Sequence, residues 1–198
     1  MSFRAKFEHR DQLLAAAIDE FCERGYDAAS INRILTTSGV SKGQLYHHFD
    51  GKRGLYLSLI EWMIDQKLAW FAHHPMAPTG DFFATLGAYM RANVAFAGTH
   101  SDVERFATSL LAERGRPIFD EVQDRFEFDP AGPLGALVDH HIAAGGFRDD
   151  LSADFVRRLV LLVVNHAPDL LDLHKPADLE PRLDELLTVL RHGLHRQA

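Results

Sequence analysis

The sequence lacks the features that mark secreted and membrane-spanning proteins. Its 198 residues include one cysteine, Cys22, so no internal disulfide can form and we expect a reducing, cytoplasmic location. No unbroken apolar run exceeds six residues, as from Leu159 to Val164, whereas roughly 20 are needed to cross a bilayer. The first ten residues contain no apolar segment of the kind that secretory signals carry, so we expect none.

Strand-forming residues and catalytic motifs are also scarce. Val, Ile and Thr together fill 24 positions, whereas Leu and Ala fill 50, a balance that favours helices. With 46% hydrophobic residues the chain can bury a core, so we expect a globular, all-α protein. The sequence shows no Ser-His-Asp order, no glycine-rich phosphate loop and no convincing carboxylate pair, so we expect that the protein is not an enzyme.

Acidic residues outnumber basic ones by 28 to 21, which at first argues against binding to nucleic acid. Their distribution changes that conclusion. Residues 1–54 hold eight basic and seven acidic residues, whereas residues 55–198 carry a net charge of −8. Within residues 31–54, four residues are basic and one is acidic. A small positive surface there could contact phosphates while the rest of the chain stays acidic.

Apolar residues recur at steps of three and four through most of the chain, which is the spacing of amphipathic helices. A first helix is predicted over Glu8–Arg24, where Gly25 should stop it. Two prolines and a glycine mark the clearest loop, between His74 and Gly80. The later helices are predicted over residues 31–37, 42–48, 51–73, 81–98, 102–113, 116–127, 130–144, 152–172 and 178–195.

Polar residues at helix N-termini indicate where several helices begin. Ser30 and Ser41 are expected to cap two short helices, and Gln44 lies at the spacing of a capping box with Ser41. Between these helices, Gly39 supplies a turn at which a positive φ costs little. Further starts are predicted at Asp81, at Ser101 with Glu104 as a second capping box, at Pro130, at Ser152 and at Asp178.

Two short helices joined by a three-residue turn with glycine form a helix-turn-helix, here inside a three-helix unit. The second helix should turn Leu45 and Phe49 to the core and its polar residues outward. Lys42 could donate to guanine O6 and N7, Gln44 could pair with adenine N6 and N7, and Gly43 lets the backbone approach DNA. Hydroxyl or ammonium groups suited to phosphate oxygens belong to Ser30, Ser41, Tyr46 and Lys52.

The same segment resembles the N-terminal signature of the TetR family of bacterial transcriptional regulators. The resemblance rests on Leu13-Leu14-x-Ala16-Ala17, Phe21-x-Glu23-Arg24-Gly25-Tyr26, Ser30-Ile31-x-x-Ile34 and Ser38-Gly39-Val40-Ser41-Lys42-Gly43-x-Leu45-Tyr46-His47-His48-Phe49-x-x-Lys52. It implies an all-helical homodimer whose two recognition helices enter successive major grooves of a palindromic operator. It also implies a C-terminal domain that binds a small-molecule effector and thereby releases double-stranded DNA, most simply as a repressor.

The resemblance also assigns residues and domains. The operator contacts that it implies are Ser30, Arg33, Ser41, Lys42, Gly43, Gln44, Tyr46, His48 and Lys52. Gln44 stands where this family commonly has Thr or Ala, which bears on the operator sequence and not on the fold. We expect a DNA-binding domain over residues 1–54 and a ligand-binding and dimerisation domain over residues 55–198.

The C-terminal part of the chain has no motif that identifies an effector. A pocket is predicted between the helix over 51–73 and the helices that start near Asp81, Ser101 and Gly115. The candidate ligand-binding residues are Trp70, Tyr89, Phe96, Phe106, Asn165 and His166. Each aromatic residue could equally be an ordinary core residue, and Asn165 and His166 a hydrogen-bonded structural pair.

A dimer interface is expected by family analogy on the helices near 130–144 and 152–172. Its predicted apolar face consists of Leu134, Leu137, Phe155, Leu159, Leu162 and Val163, although any buried helix shows the same pattern.

Twelve histidines raise the question of a metal site. Adjacent residues on a helix point about 100° apart, so neighbouring histidines do not chelate by themselves. No His-Glu-x-x-His or cysteine-rich spacing is present, and we expect neither a metal nor another cofactor. Two alternatives stay open: a DNA-binding regulator controlled by a protein partner or by no effector, and an enzyme built on the helical bundle, which only the dispersed histidines support.

Overall fold

Ten helices occur in the part of the chain that the computed structural model describes, which is residues 3–74, 80–126, 132–167 and 179–195. They are α1 (Arg10–Ala28), α2 (Ile31–Ser38), α3 (Lys42–His48), α4 (Gly51–His73), α5 (Phe82–Thr99), α6 (Ser101–Ala112), α7 (Pro117–Phe126), α8 (Gly132–Ala143), α9 (Ala153–Asn165) and α10 (Leu179–Leu194). Within those ranges, β-type pairing is limited to one antiparallel bridge, between Phe147 and His195. The prediction of an all-α protein is confirmed.

Local hydrogen bonds begin α2 and α3 at the predicted residues. Ser30 Oγ accepts the backbone N–H of Arg33 at 3.5 Å. At the turn, Gly39 has a φ of 72°, which residues with a Cβ rarely adopt. Ser41 Oγ then accepts the N–H of Gln44 at 3.2 Å, and Gln44 Oε1 accepts the N–H of Ser41 at 3.0 Å. Because the first amides of a helix have no carbonyl partner within it, this capping box fixes where α3 begins.

The first helix differs from the prediction at both ends. It begins at Arg10, and Gly25 interrupts it as predicted, but a short second helical stretch carries the element on to Ala28. Gly25 has φ 70° and ψ 172°, outside the helical region. A Cβ on this residue would lie 2.8 Å from Glu113 Oε1, so the bend needs glycine for its backbone and for its small size.

Two of the caps predicted for later helices are present. Asp81 Oδ1 accepts the N–H of Phe83 at 2.8 Å at the start of α5. Ser152 Oγ accepts the N–H of Phe155 at 3.3 Å at the start of α9. Each cap uses a side chain two or three residues from the amide it binds, which is why local sequence sufficed to find it.

The capping box predicted for Ser101 and Glu104 is wrong. Ser101 is the first residue of α6, and the cap position belongs to His100, which makes no side-chain capping hydrogen bond. Glu104 Oε1 lies 2.9 Å from Lys67 Nζ of α4. An ion pair with a distant residue therefore occupies the carboxylate that a local motif would use.

Packing divides the chain into two units. The first comprises Met1–His73 and Phe96–Phe128, and the second comprises His74–Ala95 and Asp129–Ala198. The first unit thus contains the helix-turn-helix together with α4, α6 and α7. The division predicted from the sequence, at residue 54, is by function, into a DNA-binding domain and a ligand-binding domain. That division differs from the division by packing and stays a prediction.

The core of the first unit holds α3 in place. Leu45 of α3 is fully buried, and it belongs to the same apolar cluster as Leu13 of α1, Ile34 of α2 and Leu55 of α4. Truncating a buried leucine to alanine commonly costs about 2–5 kcal/mol. The position of α3 therefore depends on the whole unit and not on its seven residues alone.

The second unit has its own core, to which α5, α8, α9 and α10 contribute. Leu86, Val138, Val160 and Leu183 are its most completely buried side chains. Arg191 Nη2 of α10 lies 2.6 Å from Asp81 Oδ2, which joins the two ends of this unit's sequence.

Some predictions concern residues that lie outside the described ranges. These are the helix starts at Pro130 and Asp178, the last five residues of the helix predicted over 152–172, and the side chain of Asn165. Among the helices of the described ranges, none is both long and apolar enough to cross a membrane.

Candidate nucleic-acid interface

Helix α3 has an apolar buried face and a polar exposed face. Leu45 is fully buried and Phe49, directly after the helix, is 4% exposed. The exposed residues are Ser41, Lys42, Gly43, Tyr46 and His47. Its polar groups are thus available to a partner without any loss of core packing.

The exposed face is open and adaptable. A Cβ on Gly43 would have only Ser41 Oγ nearby, at 3.9 Å, so no packing contact requires glycine here. Lys42 Nζ lies 5.9 Å from the ring centroid of Tyr46, an exposed cation–π contact worth about 0.5–1 kcal/mol. Because this contact is weak, Lys42 can leave Tyr46 to contact a base or a phosphate.

The capping box limits the hydrogen bonds that the Gln44 side chain can make to a partner. Its Oε1 accepts the N–H of Ser41, so the capping box already uses its acceptor group. The group that it offers to a partner is the amide NH₂, which only donates. The adenine pairing predicted from the sequence uses both groups at once, and it would require Oε1 to accept a second hydrogen bond or leave Ser41.

Arg33 is held by α1. Its Nε and Nη2 atoms donate to the Glu20 carboxylate at 3.0 and 2.5 Å, and Nη2 also donates to the Ala28 carbonyl at 3.2 Å. Glu20 is 8% exposed and also accepts the N–H of Ser30 at 2.7 Å. The hydrogen bond from Arg33 is the main cause that lowers the pKa of Glu20. The predicted operator contact of Arg33 would have to compete with this pair.

Lys52 is also engaged within the protein. Its Nζ donates to the carbonyl oxygens of Asp27 and Ala29, at 2.9 and 3.3 Å, and lies 4.9 Å from the ring centroid of Tyr26. Lys52 therefore ties α4 to the end of α1. An ammonium has three donors, so a phosphate contact stays a prediction alongside this structural role.

His48 packs against the N-terminal segment. Its ring stacks on Phe7 with 4.2 Å between centroids. Burial is the main cause that lowers the pKa of His48, so its predicted contact with DNA would come from a neutral imidazole.

The comparison with known families agrees with this geometry. Residues 13–59, which span most of α1, all of α2 and α3 and the start of α4, match the model of the family described as bacterial regulatory proteins, tetR family. The chain is similar to the tetR family over this segment, and along most of its length it is similar to regulators of that family. It is a transcriptional regulator with a helix-turn-helix that binds DNA.

Similar proteins carry the same description. The chain is 26% identical over 151 residues to the HTH-type transcriptional repressor KstR2 of Mycolicibacterium smegmatis, covering 76% of this chain and 73% of that protein. It is 47% identical over 58 residues to the HTH-type transcriptional activator FasR of the same species, covering 29% of this chain and 26% of that one. A TetR family regulator from Chloroflexus aurantiacus, 27% identical, superposes with a TM-score of 0.79 over 98% of this chain and 97% of its own.

Sequence reasoning passed over part of the exposed surface of this regulator. Asn32, Thr36 and Thr37 are exposed on α2. Thr36 Oγ1 donates to the Asn32 carbonyl at 2.9 Å. The spacing of Asn32 and Thr36 from the buried Ile34 could have placed them outward, because residues two positions apart along a helix point in different directions.

The predicted effector residues of the regulator fall into different parts of the fold. Trp70 and Phe96 lie together in the first unit, with 5.8 Å between ring centroids, and the His100 ring stacks on Phe96 at 4.5 Å. Phe106 of that unit is fully buried beside Tyr56, as a core residue would be. Tyr89, Asn165 and His166 belong to the second unit. Their ligand-binding role stays a prediction.

A cavity of about 610 Å³ lies in the first unit, between residues 3–12 and α4. None of the predicted effector residues lines it, and its lining includes the Arg4–Asp65 ion pair, with 2.7 Å between Nε and Oδ2. Within the described ranges, no group of three or more His, Cys, Asp and Glu side chains is placed to hold a metal ion.

Proposed function

We propose that this regulator binds a palindromic operator as a homodimer, represses transcription there, and releases the DNA when a small molecule binds. The observation that carries the proposal is the build of α3. Its start is fixed by a capping box, its apolar side is buried, and Lys42, Gly43 and Tyr46 are exposed on a helix of the length that enters a major groove.

Positioning and base recognition fall to different residues in this proposal. Lys42 and Gln44, at the N-terminal end of α3, would donate to base edges, while Ser30, Ser41 and Tyr46 would contact phosphates. Arg33 and Lys52 would act mainly by holding α2 and α4 against α1, through the contacts described above.

An apolar face of α9 supports the dimer. Phe155 and Leu162 are 51% and 57% exposed, and the half-buried Leu159 lies between them at helical spacing. Large exposed apolar residues in a row commonly mark an interface. Leu134, predicted for the same face, is already buried in the core of its own unit, so the contact would depend chiefly on α9.

The decisive experiment is selection of binding sites by the purified full chain from random DNA duplexes at moderate ionic strength. We expect two inverted half-sites whose centres lie roughly 34–36 Å apart, or a multiple of that distance. Failure to enrich any sequence would refute operator recognition. Reporter transcription from the selected site would then show whether the protein represses or activates. Activation would refute the repressor part of the proposal.

The effector is tested with the same operator. A panel of small hydrophobic metabolites is screened by thermal shift, because aromatic side chains such as Trp70 and Phe96 favour such ligands. A true effector should lower operator affinity about 5- to 150-fold, and operator DNA should weaken its binding by the same factor. Compounds that bind without changing operator affinity would favour regulation by a protein partner or by no effector.

A further inference from the structure

The bend at Gly25 turns one backbone amide out of the helical hydrogen-bond ladder. In a regular helix, the N–H of Tyr26 would donate to the carbonyl four residues earlier. Here Tyr26 N donates to Glu113 Oε1 at 2.7 Å. The bond joins α1 to a residue 87 positions later in the sequence, directly after α6.

Glu113 is an unexpected residue at this place. It is the C-cap of α6, and an acidic side chain at a helix C-terminus is disfavoured by the helix dipole. It is also only 3% exposed, and burial of a carboxylate is costly unless the group is paired. Its partners are the Tyr26 amide and Arg116, whose Nη1 lies 3.0 Å from Glu113 Oε2. The stability of α6 therefore does not explain why a glutamate stands at position 113, whereas the hydrogen bond with the Tyr26 amide does.

The contact acts on the segment that leads into α2. Lys52 of α4 binds the carbonyls of Asp27 and Ala29, and Glu20 of α1 binds the amide of Ser30. Polar side chains thus hold this turn at several successive residues. Glu113 contacts this turn from beyond the helix-turn-helix and α4, as does Arg116, whose Nη1 lies 3.5 Å from Asp27 Oδ2.

We propose that Glu113 is a positioning residue for DNA binding. Its buried carboxylate fixes the direction in which α2 leaves α1, and thereby the placement of α2 and α3 against DNA, without contact between Glu113 and DNA. Gly25 is its counterpart, because a φ of 70° strains any residue that has a side chain and a Cβ there would lie 2.8 Å from Oε1. This proposal rests on the proposed operator binding, because operator affinity is the quantity that the test measures.

The test compares Glu113→Ala and Glu113→Gln in the full chain, with the operator obtained by selection. Gln keeps an oxygen that can accept the Tyr26 N–H, so we expect its operator affinity to stay within about threefold of the wild type. Ala should lower operator affinity tenfold or more and lower affinity for random DNA much less. The Tyr26 amide resonance should move upfield in Glu113→Ala and be largely restored in Glu113→Gln.

Glu104→Ala is the matched control, since it removes another α6 carboxylate, one paired to Lys67 of α4 and not to the turn. It should leave operator affinity within about twofold of the wild type. If Glu113→Ala does not fold, Glu113→Asp shortens the side chain by one methylene and should show the same loss. A folded Glu113→Ala or Glu113→Asp protein that binds the operator as tightly as the wild type would overturn the proposal, as would an equal loss in Glu104→Ala. Absence of any operator preference in the wild type would refute the proposed function instead.

Discussion

The phenyl ring of Phe7 stacks on the imidazole of His48, with 4.2 Å between the ring centroids and 22° between the ring planes. Phe3, from the same N-terminal segment, is 1% exposed and lies 5.0 Å from the ring centroid of Phe49. The segment that precedes α1 therefore packs against the C-terminal end of the recognition helix. It contributes to the position and to the protonation of His48.

The first prediction concerns pH. Burial lowers the pKa of His48 below its ordinary value of 6.5, so the folded state favours the neutral ring. The contribution of His48 to stability is therefore intact above about pH 6.5 and is lost as the pH falls from there towards the folded-state pKa. Phe7→Ala should raise the pKa of His48, measured by NMR titration of its Hε1 proton. Phe7→Tyr keeps the stacked ring and should not; an unchanged His48 pKa in Phe7→Ala would contradict this explanation.

The second prediction concerns two lysines that the sequence analysis both assigned to DNA contacts. Lys42 is exposed on α3, whereas Lys52 is bound to carbonyl oxygens at the end of α1. Lys42→Ala removes a cation from the DNA-facing helix, so it should weaken operator binding, reduce the slope of log K against log salt by up to about 0.9 and change the melting temperature only a little. Lys52→Ala should lower the melting temperature as well, because two carbonyls lose their partner.

Fluorescence anisotropy at several salt concentrations and thermal denaturation measure the two effects of the lysine variants. Arg148→Ala is the control, since it removes a cation of the second unit whose guanidinium pairs with Asp150. Arg148→Ala should leave the slope of log K against log salt unchanged. A melting temperature that falls equally in Lys42→Ala and Lys52→Ala would show that the assignment of roles is wrong.

The parts of the fold that sequence predicted correctly depend on neighbours in the chain. Ser30, Gly39 and Ser41 act on residues within four positions, so their types and spacing sufficed to place α2 and α3. The helix-turn-helix was identified for the same reason, and the family match at residues 13–59 confirms it.

The failures involve residues that are distant in sequence. Gly25 was expected to end a helix and does interrupt α1, but the amide that it displaces finds Glu113, and a second short helical stretch follows to Ala28. Glu104 was expected to cap α6, but Lys67 of α4 takes its carboxylate. The phosphate contact of Lys52 stays a prediction, but carbonyls at the end of α1, which local spacing did not indicate, also hold its ammonium. Nothing in the local spacing of these residues indicates the partner that folding brings to them.

The third prediction concerns the base that Gln44 contacts. Glu at this position can still accept the N–H of Ser41, so Gln44→Glu should keep α3 stable while replacing a donor by an acceptor. Its selected site should change towards cytosine, whose N4 amino group donates, and overall affinity should fall because a carboxylate repels phosphates. Gln44→Ala should lose the capping bond, worth about 0.5–1.5 kcal/mol, and relax the preference at one position. Selection of the wild-type sequence by Gln44→Glu would show that Gln44 does not contact a base.

The fourth prediction concerns the apolar face of α9. Leu162 and Val189 are both exposed apolar residues, 57% and 69%, but Leu162 lies on the proposed dimer face and Val189 lies on α10. Leu162→Asp places a charge where the dimer would bury it without a partner, so sedimentation should show monomers at concentrations at which the wild type is dimeric. Such a monomer should bind a single half-site weakly and lose the preference for two inverted half-sites. Val189→Asp controls for the effect of an added surface charge, and this variant should stay dimeric. Dissociation by Val189→Asp but not by Leu162→Asp would show that the dimer interface lies on α10 and not on α9.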